Sequence, residues 1–252
     1  MNNNKLIYGF ALLLLAAVIF YIGYDLSSGS LFRKGKNKSS ITVADSLSIP
    51  SVQSLITDCN CDIELIESDE EKVIFIYDKS EHINKTDFSN NTLNINFESK
   101  ESNFLSFNHS SNVQAKVYCK GLKSINQQGV GDLTNKGILR STDLTILNEG
   151  VGDIKLNIAS SLVHITNDGV GDIDIEGTAD ISVMNNGGTG NIDAKNLNNK
   201  NATVINDGVG NVDVQASDTL RLNNSGVGDI EYKGTAILAS IQSDGVGKIN
   251  KK

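Results

Sequence analysis

The sequence predicts an all-β solenoid, and three observations carry that reading. A Gly-x-Gly motif returns seven times, its first glycine falling at Gly129, Gly150, Gly169, Gly188, Gly208, Gly226 and Gly245, in steps of 21, 19, 19, 20, 18 and 19 residues. The positions four before and four after that glycine are apolar in every copy: Ile125, Ile146, Ile165, Met184, Val204, Leu222 and Ile241 before it, and Leu133, Ile154, Ile173, Ile192, Val212, Ile230 and Ile249 after it. The composition is that of strands and turns, with 23 glycines, one proline, no tryptophan and abundant Asn, Asp, Ser and Thr. A phosphate-cradling glycine loop is used once per site, between a strand and a helix. A motif repeating every 19 residues or so is instead the corner of a coil, and the two apolar columns stack from coil to coil as a continuous core.

Residues 1–24 read as an N-terminal transmembrane helix. The stretch 6–24, LIYGFALLLLAAVIFYIGY, is 19 uncharged residues, about the length that spans a bilayer. Ser28-Gly29-Ser30 offers a small-residue cleavage site as the alternative. No cysteine follows the segment, which excludes a lipoprotein anchor. Lys5 precedes the stretch, and Arg33, Lys34, Lys36 and Lys38 follow it. That charge bias alone favours a cytoplasmic domain, although long domains translocate despite such charges. Residues 25–41 form a polar linker.

The solenoid domain is expected over 42–252, less regular over 42–120 and regularly repeating over 121–252. Thr57-Asp58-Cys59-Asn60-Cys61-Asp62-Ile63-Glu64-Leu65 matches Asn167-Asp168-Gly169-Val170-Gly171-Asp172-Ile173-Asp174-Ile175 position by position, so Cys59 and Cys61 take the two glycine slots of a degenerate early coil. With Cys119 the cysteines number three, too few for a disulfide framework. Structural cysteines, a Cys-Cys bridge and a metal site are the readings they admit, and His82, His109 and His164 show no ligand spacing. KVIFIYD, TLNINFES and NVQAKVYC supply further strands, as first coils or as a cap over the solenoid end.

Two columns flank the core. Two before the glycine stand Gln127, Asn148, Asn167, Asn186, Asn206, Asn224 and Ser243, a structural ladder in which stacked amides hydrogen-bond from coil to coil. Three and five after it stand Asp132/Thr134, Asp153/Lys155, Asp172/Asp174, Asn191/Asp193, Asn211/Asp213, Asp229/Glu231 and Lys248/Asn250. Strand alternation turns both positions outward. Asp172, Asp174, Asp193, Asp213, Asp229 and Glu231 therefore form a candidate interaction stripe. In one reading the first column caps its own corner and the second is solvated. In the other, like charges relieved only by Asn191, Asn211 and Lys155 make a surface for cations or a basic partner. The opposite face carries Thr145, His164, Thr166, Thr203 and Arg221, a candidate for neutral glycans.

The order DCNCDIELIESDEEKVIFIYDKS, then TLNINFES, then tandem Gly-x-Gly-[Asp/Asn]-[Ile/Val] repeats closing on ASDTLRLNNSGVGDIEYKGTA, resembles the bacterial putative auto-transporter adhesin head (GIN) domain family, a domain of unknown function, over about residues 45–250. The resemblance implies a right-handed β-helix-like solenoid exported to the periplasm or cell surface, and it brings no catalytic residues. The chain departs from that family in placing Val between the glycines where Ser is commoner, in its early cysteines, and in lacking a lipoprotein signal.

A net charge of −8 argues against nucleic acid. No catalytic, cofactor-binding or metal-ligating set is recognisable: arginine is limited to Arg33, Arg140 and Arg221, and no Ser, His and Asp set reads as a triad. Gly-x-Gly-x-Asp repeats also bind Ca²⁺, but at a nine-residue period. The expected function is a non-enzymatic, membrane-anchored envelope module that binds a glycan or protein partner in an adhesin-like way. The alternatives are a membrane-tethered regulatory or envelope-stress component and a polysaccharide-acting β-helix enzyme. The expected location is the cell membrane, with the domain extracytoplasmic.

Overall fold

The computed structural model describes residues 42–78, 82–99 and 113–252; the expected transmembrane helix (1–24) and linker (25–41) lie outside them. The described residues contain strands and no helix. The N-terminal strands are β1 (Thr42–Ser48), β2 (Ser54–Asp58), β3 (Asp62–Glu67), β4 (Lys72–Asp78), β5 (His82–Asn84), β6 (Asp87–Ser89), β7 (Thr92–Ser99) and β8 (Gln114–Cys119). The repeats supply β9 (Ser124–Gln127), β10 (Leu133–Lys136), β11 (Leu139–Asn148), β12 (Ile154–Asn167), β13 (Ile173–Asn186), β14 (Ile192–Asn206), β15 (Val212–Asn224), β16 (Ile230–Gly234), β17 (Ile237–Ser243) and β18 (Ile249–Lys251).

From β12 to β15 each coil is one long strand, bent midway, and one tight corner, while the coils on either side divide at that bend into β10 and β11 and into β16 and β17. β12, β13, β14 and β15 pair in parallel, each with the next. Their early halves continue a sheet that runs β3–β10–β12 and ends on β16–β18. Their late halves continue one that runs β7–β2–β9–β11 and ends on β17. Inward side chains from the two sheets meet between them. Ile125, Ile146, Ile165, Met184, Val204, Ile154, Ile173, Ile192, Val212 and Ile230 are fully buried, as the two apolar columns require. Truncating one such residue to alanine costs about 2–5 kcal/mol. The mid-strand bend is the second turn of the coil, where pairing skips Ser161 and the Ser160 hydroxyl donates to Leu162 O at 2.7 Å. The longer step from Gly188 to Gly208 is absorbed in β14 as register shifts, between Asp193 and Asn196 against β13 and on both sides of Asn199 against β15.

The tight corners stack as well. Asn60, Val130, Val151, Val170, Thr189, Val209, Val227 and Val246 bridge in a single row. Val170 N donates to Gly150 O at 2.9 Å, and Gly171 N donates to Thr189 O at 3.0 Å. This packing explains the glycines. A Cβ at Gly169 would lie 2.9 Å from Gly150 N, and one at Gly171, where φ is +144°, would lie 2.7 Å from the Gly152 carbonyl carbon. The Cβ at each slot points toward the preceding corner, so the first corner escapes the rule. Among the described residues no tight corner stacks beneath Asn60, and cysteines fit there. Cys59 and Cys61 are joined as a disulfide with their Cα atoms 5.4 Å apart.

Spatial order departs from chain order at the N-terminal end. The coil of β2 and β3 stacks directly on the coil of β9 and β10, some seventy residues onward, with Leu55 beside Ile125 and Ile63 beside Leu133. The intervening residues supply β7 and β8 on the far side of β2 and β3. β4 then pairs antiparallel with both β8 and β1. These antiparallel strands cap the solenoid, with Phe97 edge-on to Phe75 and Tyr77 at ring separations of 5.5 and 5.1 Å. The Tyr77 hydroxyl donates to Asp45 at 2.8 Å. At the opposite end Ile241, in the column that is buried elsewhere, is exposed.

Candidate functional site

The amide ladder occupies the corner interior. Asn148, Asn167, Asn186, Asn206 and Asn224 are fully buried. Each of the first four donates an Nδ2 hydrogen to Oδ1 of the next, at 3.1, 3.2, 3.1 and 3.1 Å. From Asn167 to Asn224 each also donates to the carbonyl of the second glycine of its own corner, at 2.8–3.2 Å. In Asn167, Asn186 and Asn206 both amide hydrogens are thus used, which is how a buried polar column escapes a desolvation penalty. The ladder serves stacking and presents nothing to a ligand.

Of the stripe residues, Asp172 and Asp229 belong to the exposed column three after the glycine. These side chains do not cap their own corner; they reach forward to the next coil. Asp172 Oδ1 accepts from Asn191 N at 2.7 Å, and Asp229 Oδ1 accepts from Lys248 N at 2.8 Å. Asp153 does the same for Asp172 N at 2.8 Å, as do Asn191 for Asn211 N and Asn211 for Asp229 N, both at 2.8 Å. The reason is geometric: the neighbouring strand's N–H lies beside the carboxylate.

Asp174, Asp193, Asp213 and Glu231 stack one coil apart in the column five after the glycine, and the three aspartates line a shallow recess of about 410 Å³ together with Asp172, Asn191 and Asn211. Their like charges are relieved by lysines. Lys155 Nζ lies 2.6 Å from Asp174, Lys195 pairs with Asp193, and Lys252 bridges Asp213 at 3.3 Å and Glu231. Burial, and then the adjacent Glu231, push the Asp213 carboxyl up, while Lys252 pulls the Glu231 carboxyl down. Lys195 and Lys252 are the residues that pattern reading missed, and they add to the relief expected from Lys155. Lys195 reaches Asp193 because side chains two apart on a strand share a face.

On the other sheet Thr145, His164, Thr203 and Arg221 share one stacked row with Val183, and Thr166 lies two residues further along its strand. A larger recess, about 710 Å³, crosses the mid-strand bends. It is lined by small neutral side chains such as Ser160, Thr178 and Ser217, and by the ion pair of Lys200 with Asp180 at 2.7 Å. Among the described residues no three His, Cys, Asp or Glu side chains converge as a metal site, and no helix is long and apolar enough to cross a membrane.

Capped at one end, laddered inside and faced with paired charges, the molecule is a β-solenoid of the adhesin-head class. The chain belongs to the family described as "Putative auto-transporter adhesin, head GIN domain", which matches residues 54–236. Among solved structures it is similar to a "putative adhesin" from Bacteroides fragilis, at 24% identity and a TM-score of 0.78, covering 86% of this chain and 100% of that one. A "putative adhesin" from Parabacteroides merdae is similar at 14% identity and a TM-score of 0.61, covering 83% of this chain and 96% of that one. A "Putative lipid binding protein" from Parabacteroides distasonis is similar at 21% identity and a TM-score of 0.60, again covering 83% and 96%. These likenesses establish the fold. No curated protein matches the sequence.

Proposed function

We propose that the chain is a non-enzymatic, membrane-anchored module of the cell envelope that binds a partner through the outward columns of its solenoid. Membership of an adhesin-head family is the observation that carries this reading. The geometry supports it: corners and ladder are consumed by stacking, which leaves two flat faces and a corner edge to meet other molecules. A Cys59–Cys61 disulfide suits an oxidising, extracytoplasmic compartment. A membrane-tethered regulatory component facing inward is the second reading, favoured by Arg33, Lys34, Lys36 and Lys38 after the apolar segment.

The test is attachment by cells of the native host with and without the chain, on neutral-glycan, protein-matrix and sibling-cell surfaces. Deletion is expected to lower attachment to at least one surface, with recovery on complementation. Equal attachment on all three would overturn the reading.

A further inference from the structure

The residue between the two glycines of each motif forms a surface of its own. Val130, Val151, Val170, Val209, Val227 and Val246 stack in register with Thr189 among them, and they are exposed, Val170 at 50%. Stacked coils stand about 4.8 Å apart, so the six steps from Val130 to Val246 make an apolar ridge roughly 29 Å long. Scattered exposed valines would need no explanation, whereas a contiguous apolar strip on a soluble domain marks a contact surface.

Its borders say what kind of contact. On one side the residue before each motif is acidic at Glu149, Asp168, Asp207 and Asp244, and on the other stand Asp132, Asp153, Asp172 and Asp229, with Lys248 the one cation at the last corner. All of these acids but Asp229, which is half-buried, are exposed. Among the described residues none of the eight is in an ion pair. That contrasts with the next column, where lysines meet Asp174, Asp193, Asp213 and Glu231. Hydrogen bonds from Gln128 and Asn126 hold Glu149 below the ordinary carboxylate range, so its charge is fully developed near neutrality.

We infer that this ridge docks a protein partner bearing an apolar groove bordered by lysine or arginine. The inference rests on the reading of the chain as an interaction module and names that module's contact edge. Charge complementarity selects the occupant. A second copy of the ridge would set carboxylate rows against each other, and an anionic bilayer or a nucleic acid would be repelled.

The protein supplies its own fold-neutral substitutions. Thr189 already occupies the ridge position, and Asn191 and Asn211 already make the hydrogen bond that Asp153 and Asp172 make. The probe is a fluorescent amphipathic Leu/Lys peptide of about 20 residues, which matches the ridge at 1.5 Å per helical residue. Binding to the purified full chain is measured by anisotropy at low and high salt, with a Leu/Glu peptide as control. The Leu/Lys peptide is expected to bind and the Leu/Glu peptide not to bind.

Combined Val151→Thr, Val170→Thr and Val209→Thr should weaken Leu/Lys binding about tenfold with its salt dependence kept. Combined Asp153→Asn, Asp172→Asn and Asp229→Asn should weaken it about tenfold and flatten the salt dependence. The same number of charges removed by Asp174→Asn, Asp193→Asn and Asp213→Asn should change it little. If that control triple weakens binding as much as the flanking triple, or the valine triple has no effect, the contact is generic charge attraction and the inference falls. In the attachment assay, cells carrying the valine triple that attach like wild type, while deletion cells do not, would overturn the ridge and leave the module reading standing.

Discussion

Three glycine-to-alanine substitutions separate the two physical reasons for glycine in this fold. At Gly137 φ is +85° and nothing lies within 4 Å of an added Cβ, so Gly137→Ala carries only the cost of a left-handed alanine, about 1–2 kcal/mol. Gly169 lacks a positive φ, but its Cβ would sit 2.9 Å from Gly150 N and 3.0 Å from the Glu149 carbonyl carbon. Those are backbone atoms held in a hydrogen-bonded stack, and overpacking there costs about 1–3 kcal/mol. Gly171 combines both terms, a φ of +144° and a Cβ 2.7 Å from the Gly152 carbonyl carbon. Gly171→Ala is therefore expected to cost about 2–5 kcal/mol, the sum of the two. For a domain of this size each kcal/mol lowers the midpoint by about 2–4 °C. Thermal and urea unfolding followed by circular dichroism should place Gly171→Ala well below the other two. Cys61→Ala, in the same slot of the first corner but with no tight corner beneath it among the described residues, should cost less than Gly171→Ala once its disulfide has been reduced in the reference. If Gly137→Ala proves as damaging as Gly171→Ala, or Gly169→Ala is neutral, close stacking of the corners is not what requires glycine.

Other substitutions and titrations follow from the same geometry. Asn186→Leu strands Gly190 O, Asn206 Oδ1 and an Asn167 hydrogen, and at about 1 kcal/mol or more for each orphaned group it should cost about 3 kcal/mol or more; Asn224→Leu, at the ladder's end, should cost less in the same melts. Burial, reinforced by the Asp45 hydrogen bond, pushes the Tyr77 phenol up to about 12, so it should stay un-ionised in ultraviolet titration at pH 11. An unfolded tyrosine ionises near 10; stability should accordingly fall as pH rises from about 10 and lose nothing more from this group above about 12. Burial also pushes the Cys119 thiol up to about 12, so native protein should resist thiol reagents at pH 8, showing one thiol on unfolding and three after reduction; rapid native labelling would contradict the buried, bridged arrangement.

The regular coils were legible because each column repeats one requirement: apolar where sheets face, amide where a corner needs two donors, glycine where a carbonyl lies against the Cβ. Repetition averages out the exceptions, and Gln127 or Thr189 does not hide the pattern. The N-terminal end had no such repetition. That Cys59 and Cys61 stand in glycine slots was visible, but the reason, a first corner with no tight corner beneath it among the described residues, depends on β2 and β3 stacking on strands seventy residues away. The stripe was half legible. Its carboxylates align by period, whereas Lys195 and Lys252, which neutralise part of it, sit at positions where other coils carry different residues. The valine ridge was present in six of the seven motifs, yet an apolar residue between two glycines reads as corner filler until its exposure is known.

The central claim is that this solenoid meets its partner outside the cytoplasm, and protease accessibility in intact cells tests it most directly. With a cytoplasmic protein as the internal control, an antibody to the solenoid should detect loss of the full-length chain when protease is added to intact cells, or to cells whose outer membrane alone has been opened. A chain that survives both treatments and is cut only after the cytoplasmic membrane is broken would contradict the account and leave the inward-facing regulatory reading in its place.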